Sequence, residues 1–594
     1  MEAASILTTF VFSQLNELGL FPALSPLPCS PLHKPELMQI HSLKRLALIL
    51  LIFAAMSATS LPAADSRPNF LFVLTDDQSY GMMGCDGNEL TRTPNIDQLA
   101  REGVFFDRAY VTSAICTPSR ISIFLSQYER KHGVNFNSGT SVAPEAWAKS
   151  YPVIMRENGY YTGYVGKNHA PIGKGGYNSG LMEESFDFFY AGHGHIRFYP
   201  KDVHEIFEGA TYDTQVEIVN EGAQDFMSYE HRLDGAVRFL DERPADKPFC
   251  LSICLNLPHS AGTSTMQQRE SDDEIYKSLY RDIEIPLPEH YVAKDEIETP
   301  RLPADVLRAS ERQASYNFVD TPEALKERTI RQMQSMTGID RLIGNLRTKL
   351  ETEGVDDNTI IIFCSDHGLF MGQHGLGGKA LCYEQTTHVP MIVFDPELPT
   401  VLKGARCNEL VQTIDIAATM LDLAEIEKPD TFQGLSLRPL LSGDGGAIRD
   451  HVFTENLWVT HFGNPRIEAV QGKRWKYIRY YRNDCVPASV KIQVAKDLGI
   501  KSSTMLYGIH DNEIAVYRNH AEASLRGEEP IYEELFDLES DPDELNNLID
   551  DPAAKTQLGE LRIVWKQQLT KARGKGFPAV LRYTVDSEKD YKSK

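Results

Sequence analysis

Cys116 opens the segment Cys116-Thr117-Pro118-Ser119-Arg120. Pro118 suits the first turn of a helix, so the spacing predicts Cys116 at a helix N-terminus, where free amides and the macrodipole favour negative charge. Arg120 falls one turn later and can point back to the same place. Those residues describe an anion site with a potential nucleophile in it. An isolated cysteine is more often a buried small hydrophobe, so the reading depends on what else the chain supplies. It supplies an acidic pair, Asp76-Asp77, an Asp-His pair, Asp366-His367, and a set of cations and imidazoles at Lys167, His169, His259 and Lys379. Taken singly, an Asp pair is as often a cap or a solvated turn, and a lone Lys or His is usually a surface group.

The elements that must position these residues are legible in the hydrophobic pattern. Asn69 to Thr75 is a continuous apolar run that ends in Asp76-Asp77. Similar runs lie at Phe249–Leu257, Thr359–Cys364 and Val389–Phe394. Continuous rather than alternating hydrophobicity predicts strands buried on both faces, as in parallel sheets. Helical stretches fall between them at Asn95–Arg101, Pro118–Gln127, Pro152–Asn158 and Pro322–Glu353, which predicts an α/β fold covered on both faces. Chemistry in such sheets collects at the carboxyl ends of the strands. Asp76-Asp77, Gly166-Lys167-Asn168-His169, Pro258-His259 and Asp366-His367 each follow a strand, so one sheet edge can gather them.

From about 260 to 320 the chain turns polar and Pro-rich, which reads as a long excursion over the surface near a substrate mouth. The stretch around Phe189–Tyr199, with His193 and His195, and His204 beyond it, reads as a substrate rim. Beyond about residue 450 the pattern shifts. Arg474–Tyr481 alternates like a strand with one exposed face, and Glu534–Leu538 gives another, so a smaller antiparallel subdomain is expected over 446–594 behind a catalytic domain at 67–445.

The 594-residue chain carries a formal charge of −23, which disfavours nucleic acid as a partner. Local positive charge must then come from particular residues. His41–Arg45, the apolar Leu46–Met56 and the small residues Ala58-Thr59-Ser60 read as an export signal over 38–60, cleaved in the mature protein. The apolar run is too short for a stable membrane span. Signal peptides begin near the initiator Met, so translation is expected to start at Met38, with residues 1–37 a non-native leader. The protein is therefore expected in the periplasm or outside the cell. Of nine cysteines, Cys29 lies in that leader. The seven besides Cys116 read mostly as buried small hydrophobes, with room for one or two disulfides after export.

The Cys-x-Pro-Ser-Arg pattern resembles the signature of the formylglycine-dependent sulfatases, and further segments match that family in order over about residues 67–550. The resemblance implies an alkaline-phosphatase-like α/β/α sandwich with a central mixed sheet and a small C-terminal antiparallel sheet. It also implies that Cys116 is oxidised to formylglycine by a formylglycine-generating enzyme. In the family, one oxygen of the hydrated aldehyde attacks sulfur and the alcohol leaves. Deprotonation of the other hydroxyl then expels sulfate and restores the aldehyde.

Asp76, Asp77, Asp366 and His367, with the formylglycine oxygen, match the metal set, suited to Ca²⁺ or Mg²⁺. His367 is softer than Ca²⁺ prefers and either ligates or holds sulfate. Arg120, Lys167, His169, His259 and Lys379 match catalytic and sulfate-contacting positions. The segment Glu534–Leu548 resembles the family's closing segment and reads as structural. The chain departs from the pattern at Leu125-Ser126-Gln127, where Leu-Thr-Gly is frequent, and at Asn168, where an aromatic residue is. The implied substrate is a sulfated carbohydrate, as ester or sulfamate. The same residues would also serve a phosphonate or phosphodiester hydrolase, or a catalytically silent carbohydrate-binding relative. The completeness of the set argues against silence, and Lys379 favours sulfate.

Overall fold

A computed structural model describes residues 67–135, 140–174, 176–193, 234–259, 279–304, 306, 316–443, 445–457, 465–482, 522–576 and 580–582. The export segment and leader, His195, His204 and Cys485 lie outside them. Strand β1 (Asn69–Asp76) is buried at every position. Its side chains alternate between two cores. Phe70, Phe72 and Leu74 face one of them, whereas Leu71 and Val73 face the other. A strand needs apolar residues at both parities only when both faces are covered.

Eight strands form the central sheet. Besides β1 they are β2 (Val104–Phe106), β3 (Tyr161–Asn168), β4 (Phe188–His193), β5 (Phe249–Pro258), β6 (Thr359–Ser365), β7 (Met391–Phe394) and β8 (Ala405–Cys407). Their order is β8-β2-β7-β6-β1-β5-β3-β4. Only β7 runs against its neighbours, pairing antiparallel with both β6 and β2. Helices α1 (Pro94–Glu102) and α2 (Cys116–Leu125) cover opposite faces, α1 joined by the long α3 (Pro322–Glu353). The fold is thus an α/β/α sandwich around a mixed sheet.

Four adjacent parallel strands, β6, β1, β5 and β3, end on one edge. Thr75 pairs with Ser365 and Asp76 with Pro258 in register. The residues that follow these strands are therefore brought together by the sheet itself. Close approach is required next to Lys167. Gly166 has φ 107°, and a Cβ there would lie 2.1 Å from the Cys254 carbonyl oxygen, so only glycine fits.

The smaller sheet contains β9 (Val452–Asn456), β10 (Arg466–Gln471), β11 (Trp475–Tyr481) and β12 (Tyr532–Asp537), all antiparallel. The alternation in β11 predicts one exposed face, and the structure corrects this. Ile478 and Tyr480 pack against Phe370, Leu381 and Tyr383. Tyr477 packs on the other side with Leu558, Leu561 and Trp565 of α4 (Lys555–Arg573). Lys476 is polar yet buried, because it pairs with Glu384 at 3.0 Å and Glu544 at 2.7 Å.

The Pro-rich stretch is mixed where it is described, residues 260–278 and 307–315 lying outside the described residues. Residues 281–284 are exposed, but Tyr316, Phe318 and Val319 are buried beside Ile115, Leu369 and Ala380. The described cysteines are all free, four of them buried besides Cys116. Among the described residues no helix is long and apolar enough to cross a membrane.

Candidate functional site

Cys116 is the first residue of α2 and has no exposed surface. Its thiol donates to Asp76 Oδ1 at 3.5 Å. His367 Nε2 lies 3.2 Å from Sγ, and Lys379 Nζ donates to it at 3.1 Å. Burial, helped by Asp76, pushes the thiol pKa up to about 12 against the pull of Lys167 and Lys379. At neutral pH the unmodified side chain is therefore a thiol and a weak nucleophile.

Asp76 ends β1 and Asp77 turns the chain with φ 62°, a left-handed conformation that Asp tolerates better than most residues. That turn brings Asp77 Oδ1 within 2.8 Å of Lys379 Nζ and 3.3 Å of His367 Nδ1. Burial alone would raise the Asp76 carboxyl, but Lys167, His259, Arg120 and Lys379 hold it well below the usual carboxylate range. Lys167 makes the shortest of these contacts, a direct ion pair. Asp366 follows β6 and accepts from Arg120 Nε at 2.8 Å through Oδ2, while its Oδ1 accepts from the Asp77 amide at 3.3 Å.

One ligand atom from each of Asp76, Asp77, Cys116 and His367 lies within 4.8 Å of the others, all of them buried. Asp366 lies beside that group of four, its Oδ2 paired with Arg120 and its Oδ1 3.6 Å from His367 Nε2. The two carboxylates at that spacing fit a hard divalent cation, and the imidazole adds a softer group beside them. His367 Nδ1 faces the Gly368 carbonyl at 2.9 Å. A proton there leaves the Nε2 lone pair aimed at the centre, the orientation a ligating imidazole needs. The charges agree with a cation too. Asp76, Asp77 and Asp366 balance Arg120, Lys167 and Lys379, so a divalent ion leaves the pocket positive and ready for an anion.

The remaining candidates are placed less directly. His259 follows β5, keeps 13% of its side chain exposed, and holds Nε2 3.7 Å from Asp77 Oδ2. His169 stacks on Tyr177 at 5.8 Å, whose hydroxyl lies 3.5 Å from Thr117 Oγ1, so it approaches the nucleophile through its neighbours. Ser126, at the Leu-Thr-Gly departure, closes α2 with φ 52° and donates to the Ile414 carbonyl at 2.7 Å.

A family model described as "Sulfatase" matches residues 68–426, well over half of the chain. The chain belongs to the sulfatase family. That is a family of hydrolases acting on sulfated substrates. A second model, "N-sulphoglucosamine sulphohydrolase, C-terminal", matches residues 372–488. This sulfatase is 26% identical over 548 residues to the N-acetylglucosamine-6-O-sulfatase of Bacteroides thetaiotaomicron, covering 84% of the chain and 86% of that relative. It is 26% identical over 533 residues to the arylsulfatase of Clostridium perfringens, covering 86% and 96%. Among solved structures, the phosphonate monoester hydrolase from Silicibacter pomeroyi shares the fold, with a TM-score of 0.61 and 19% identity over 87% of this chain and 100% of that one.

Sequence reasoning passed over two polar residues at this edge. Ser119 Oγ donates to the Asp366 carbonyl at 2.5 Å and so joins α2 to the end of β6. Arg328 of α3 is 2% exposed and donates to the carbonyl of His259. Ser119 lies inside the signature and could have been read there. Arg328 stands in the run Lys326-Glu327-Arg328-Thr329, which in a helix looks like a solvated face.

Proposed function

We propose that the chain removes sulfate from a sulfated carbohydrate after export, with formylglycine made from Cys116 as nucleophile and Ca²⁺ or Mg²⁺ as cofactor. The observation that carries this reading is the convergence on Cys116 Sγ of Asp76, His367 and Lys379. A thiol held up at about 12 suits poorly as a nucleophile itself. The same pocket would favour the oxygens of a hydrated aldehyde, which accept from Lys379 and lie next to the cation ligands.

Asp76, Asp77 and His367 would hold the metal. When bound, it supplies neutralisation of sulfate charge and polarisation of the nucleophile. Lys379, shared between Asp77 and residue 116, is placed to donate to a sulfate or leaving-group oxygen. Lys167, with Arg120, keeps the Asp76 carboxyl ionised, whereas burial and then Asp76 raise that of Asp366 against the pull of Arg120. His259, the most open of the set, meets the sugar side. The hexosamine 6-O-sulfatase among the relatives makes a sulfated amino sugar the first substrate to try.

Maturation requires a formylglycine-generating enzyme, and export rests on the signal-like segment 38–60. The shared fold does not choose between sulfate and phosphonate, so the choice belongs to experiment. Protein co-expressed with the modifying enzyme would be assayed on an aryl sulfate, an aryl phosphodiester, and O- and N-sulfated hexosamines. The peptide containing residue 116 would be weighed in parallel. Active protein with an unmodified thiol would sink the mechanism. Faster turnover of the phosphodiester would sink the substrate class, and binding without any turnover would mark a silent relative. N-terminal sequencing of the exported protein tests the signal, since a mature chain that retains residues 1–37 overturns it.

A further inference from the structure

Among the described residues, buried arginines are paired with carboxylates, with one exception. Arg120 meets Asp366 at 2.8 Å, Arg130 meets Glu455 at 2.7 Å, and Arg466 meets Glu528 at 2.5 Å. Arg328 is as buried as these, at 2% exposure, yet no carboxylate among the described residues lies within 4.0 Å of its guanidinium. Its partners are neutral. Nη1 and Nη2 both donate to the His259 carbonyl at 3.3 Å, and the guanidinium lies 4.6 Å from the centre of the Phe318 ring. Nε is buried and has no hydrogen-bond partner among the described residues.

A carbonyl and a ring face compensate only part of the cost of burying a cation. The uncompensated remainder is the kind of penalty that breaking a buried ion pair incurs. A guanidinium has five N–H donors, so Arg328 keeps three beyond the two directed at His259. Burial draws its pKa down to about 10 while Asp77 and Tyr316 draw it back up, so at neutral pH it carries its charge.

The position of that charge gives it a purpose. His259, on which it leans, sits 3.7 Å from Asp77. Tyr316 and Phe318 beside it belong to one apolar cluster with Ile115 and Ala380, the immediate chain neighbours of Cys116 and Lys379. Arg328 is thus packed on the aromatic cluster that also holds the chain neighbours of Cys116 and Lys379.

We infer that Arg328 is a substrate-anion residue of this pocket, whose free donors take an oxygen of a sulfate or carboxylate group on the substrate. The identity of the substrate rests on the sulfatase reading, but the need for an anion does not. That oxyanion has two possible sources, the scissile sulfate or a second acidic substituent on the sugar. A fork of N–H donors matches either better than an ammonium does.

The test uses the full mature chain with R328Q, R328K, H259A and the double variant H259A/R328Q. Inorganic sulfate affinity is measured by calorimetry, and kcat/KM on an aryl sulfate, a monosulfated hexosamine and a disulfated hexosamine. If Arg328 holds the scissile sulfate, R328Q weakens sulfate binding and all three kcat/KM values about tenfold or more, the scale of a charge-assisted hydrogen bond. If it holds a second anion, only the disulfated sugar loses that factor. R328K, which keeps the charge and loses the fork, falls between wild type and R328Q in either case. R328Q also removes a buried unpaired charge, so its melting temperature should hold or rise.

Sulfate affinity and all rates within about twofold of wild type, below the scale of one hydrogen bond, would overturn the assignment. So would an R328Q effect that disappears in the H259A background, since Arg328 would then act only through His259. Arg328-dependent sulfate binding in a wild-type protein that cleaves no sulfate ester would instead leave this inference standing and remove the sulfatase reading.

Discussion

The ammonium of Lys379 donates to Cys116 Sγ at 3.1 Å while the same nitrogen holds Asp77 Oδ1 at 2.8 Å. One cation is thereby shared between the nucleophile position and a metal ligand. A donor aimed at the place where oxygen charge develops acts mainly in the transition state. Replacing Lys379 by Ala is expected to lower kcat on an aryl sulfate about 10²- to 10³-fold, with a much smaller change in KM. Steady-state kinetics of the folded variant would check it. A loss confined to KM would move Lys379 from catalysis to ground-state binding.

Metal removal tests the group of four. Asp76, Asp77, Cys116 and His367 lie close enough to share one ion, and a ligand that binds only the folded chain stabilises it by mass action, by about 2.7 kcal/mol at a hundredfold excess over Kd. Chelation should therefore lower the melting temperature and abolish turnover, and Ca²⁺ should restore both. D77N should lose most of the Ca²⁺-dependent shift. Identical melting curves with chelator and with Ca²⁺ would exclude a structural or catalytic ion at this site.

Much of this site was legible because each group follows a run of residues buried on both faces. β1, β5 and β6 announce themselves by apolar residues at both parities, and a parallel sheet leaves the next residues of each at one edge. The long helix was equally plain. Thr321 caps it by accepting from the Ala324 amide, and Gly354 ends it with φ 66°, the signals expected at the two termini. What was hidden depends on distant chain. Lys476 reads as solvent-facing until Glu544 and Glu384 meet it from separate segments. Arg328 reads as a surface residue until the end of β5 and Phe318 close over it.

The small sheet is tied to the segment after α2 by a buried ion network that should be costly to break. Arg130 donates through Nε to Glu455 of β9 at 2.7 Å and through Nη2 to Glu468 of β10 at 2.5 Å. Removing one member leaves buried charge without a partner, at a cost of about 3–5 kcal/mol. R130A should unfold at distinctly lower denaturant, while protein that remains folded keeps its kcat. Unchanged stability would mean that solvent reaches the two glutamates.

Glu129, next to Arg130, should give stability its own pH dependence. Burial, then the neighbouring Glu455, raises its carboxyl from 4.5 to about 8, although Asn135, Ser113 and the Leu457 amide favour the ionised form. A carboxyl whose pKa is raised on folding binds a proton more tightly in the folded chain than in the unfolded one. Its contribution is thus fully present below about pH 4.5 and is lost as pH rises through about 8. E129Q removes that titration and keeps a neutral side chain in the same space. Across that window the melting temperature of wild type should fall relative to that of E129Q as pH rises. Parallel profiles for the two proteins would show that Glu129 does not change its proton occupancy on folding.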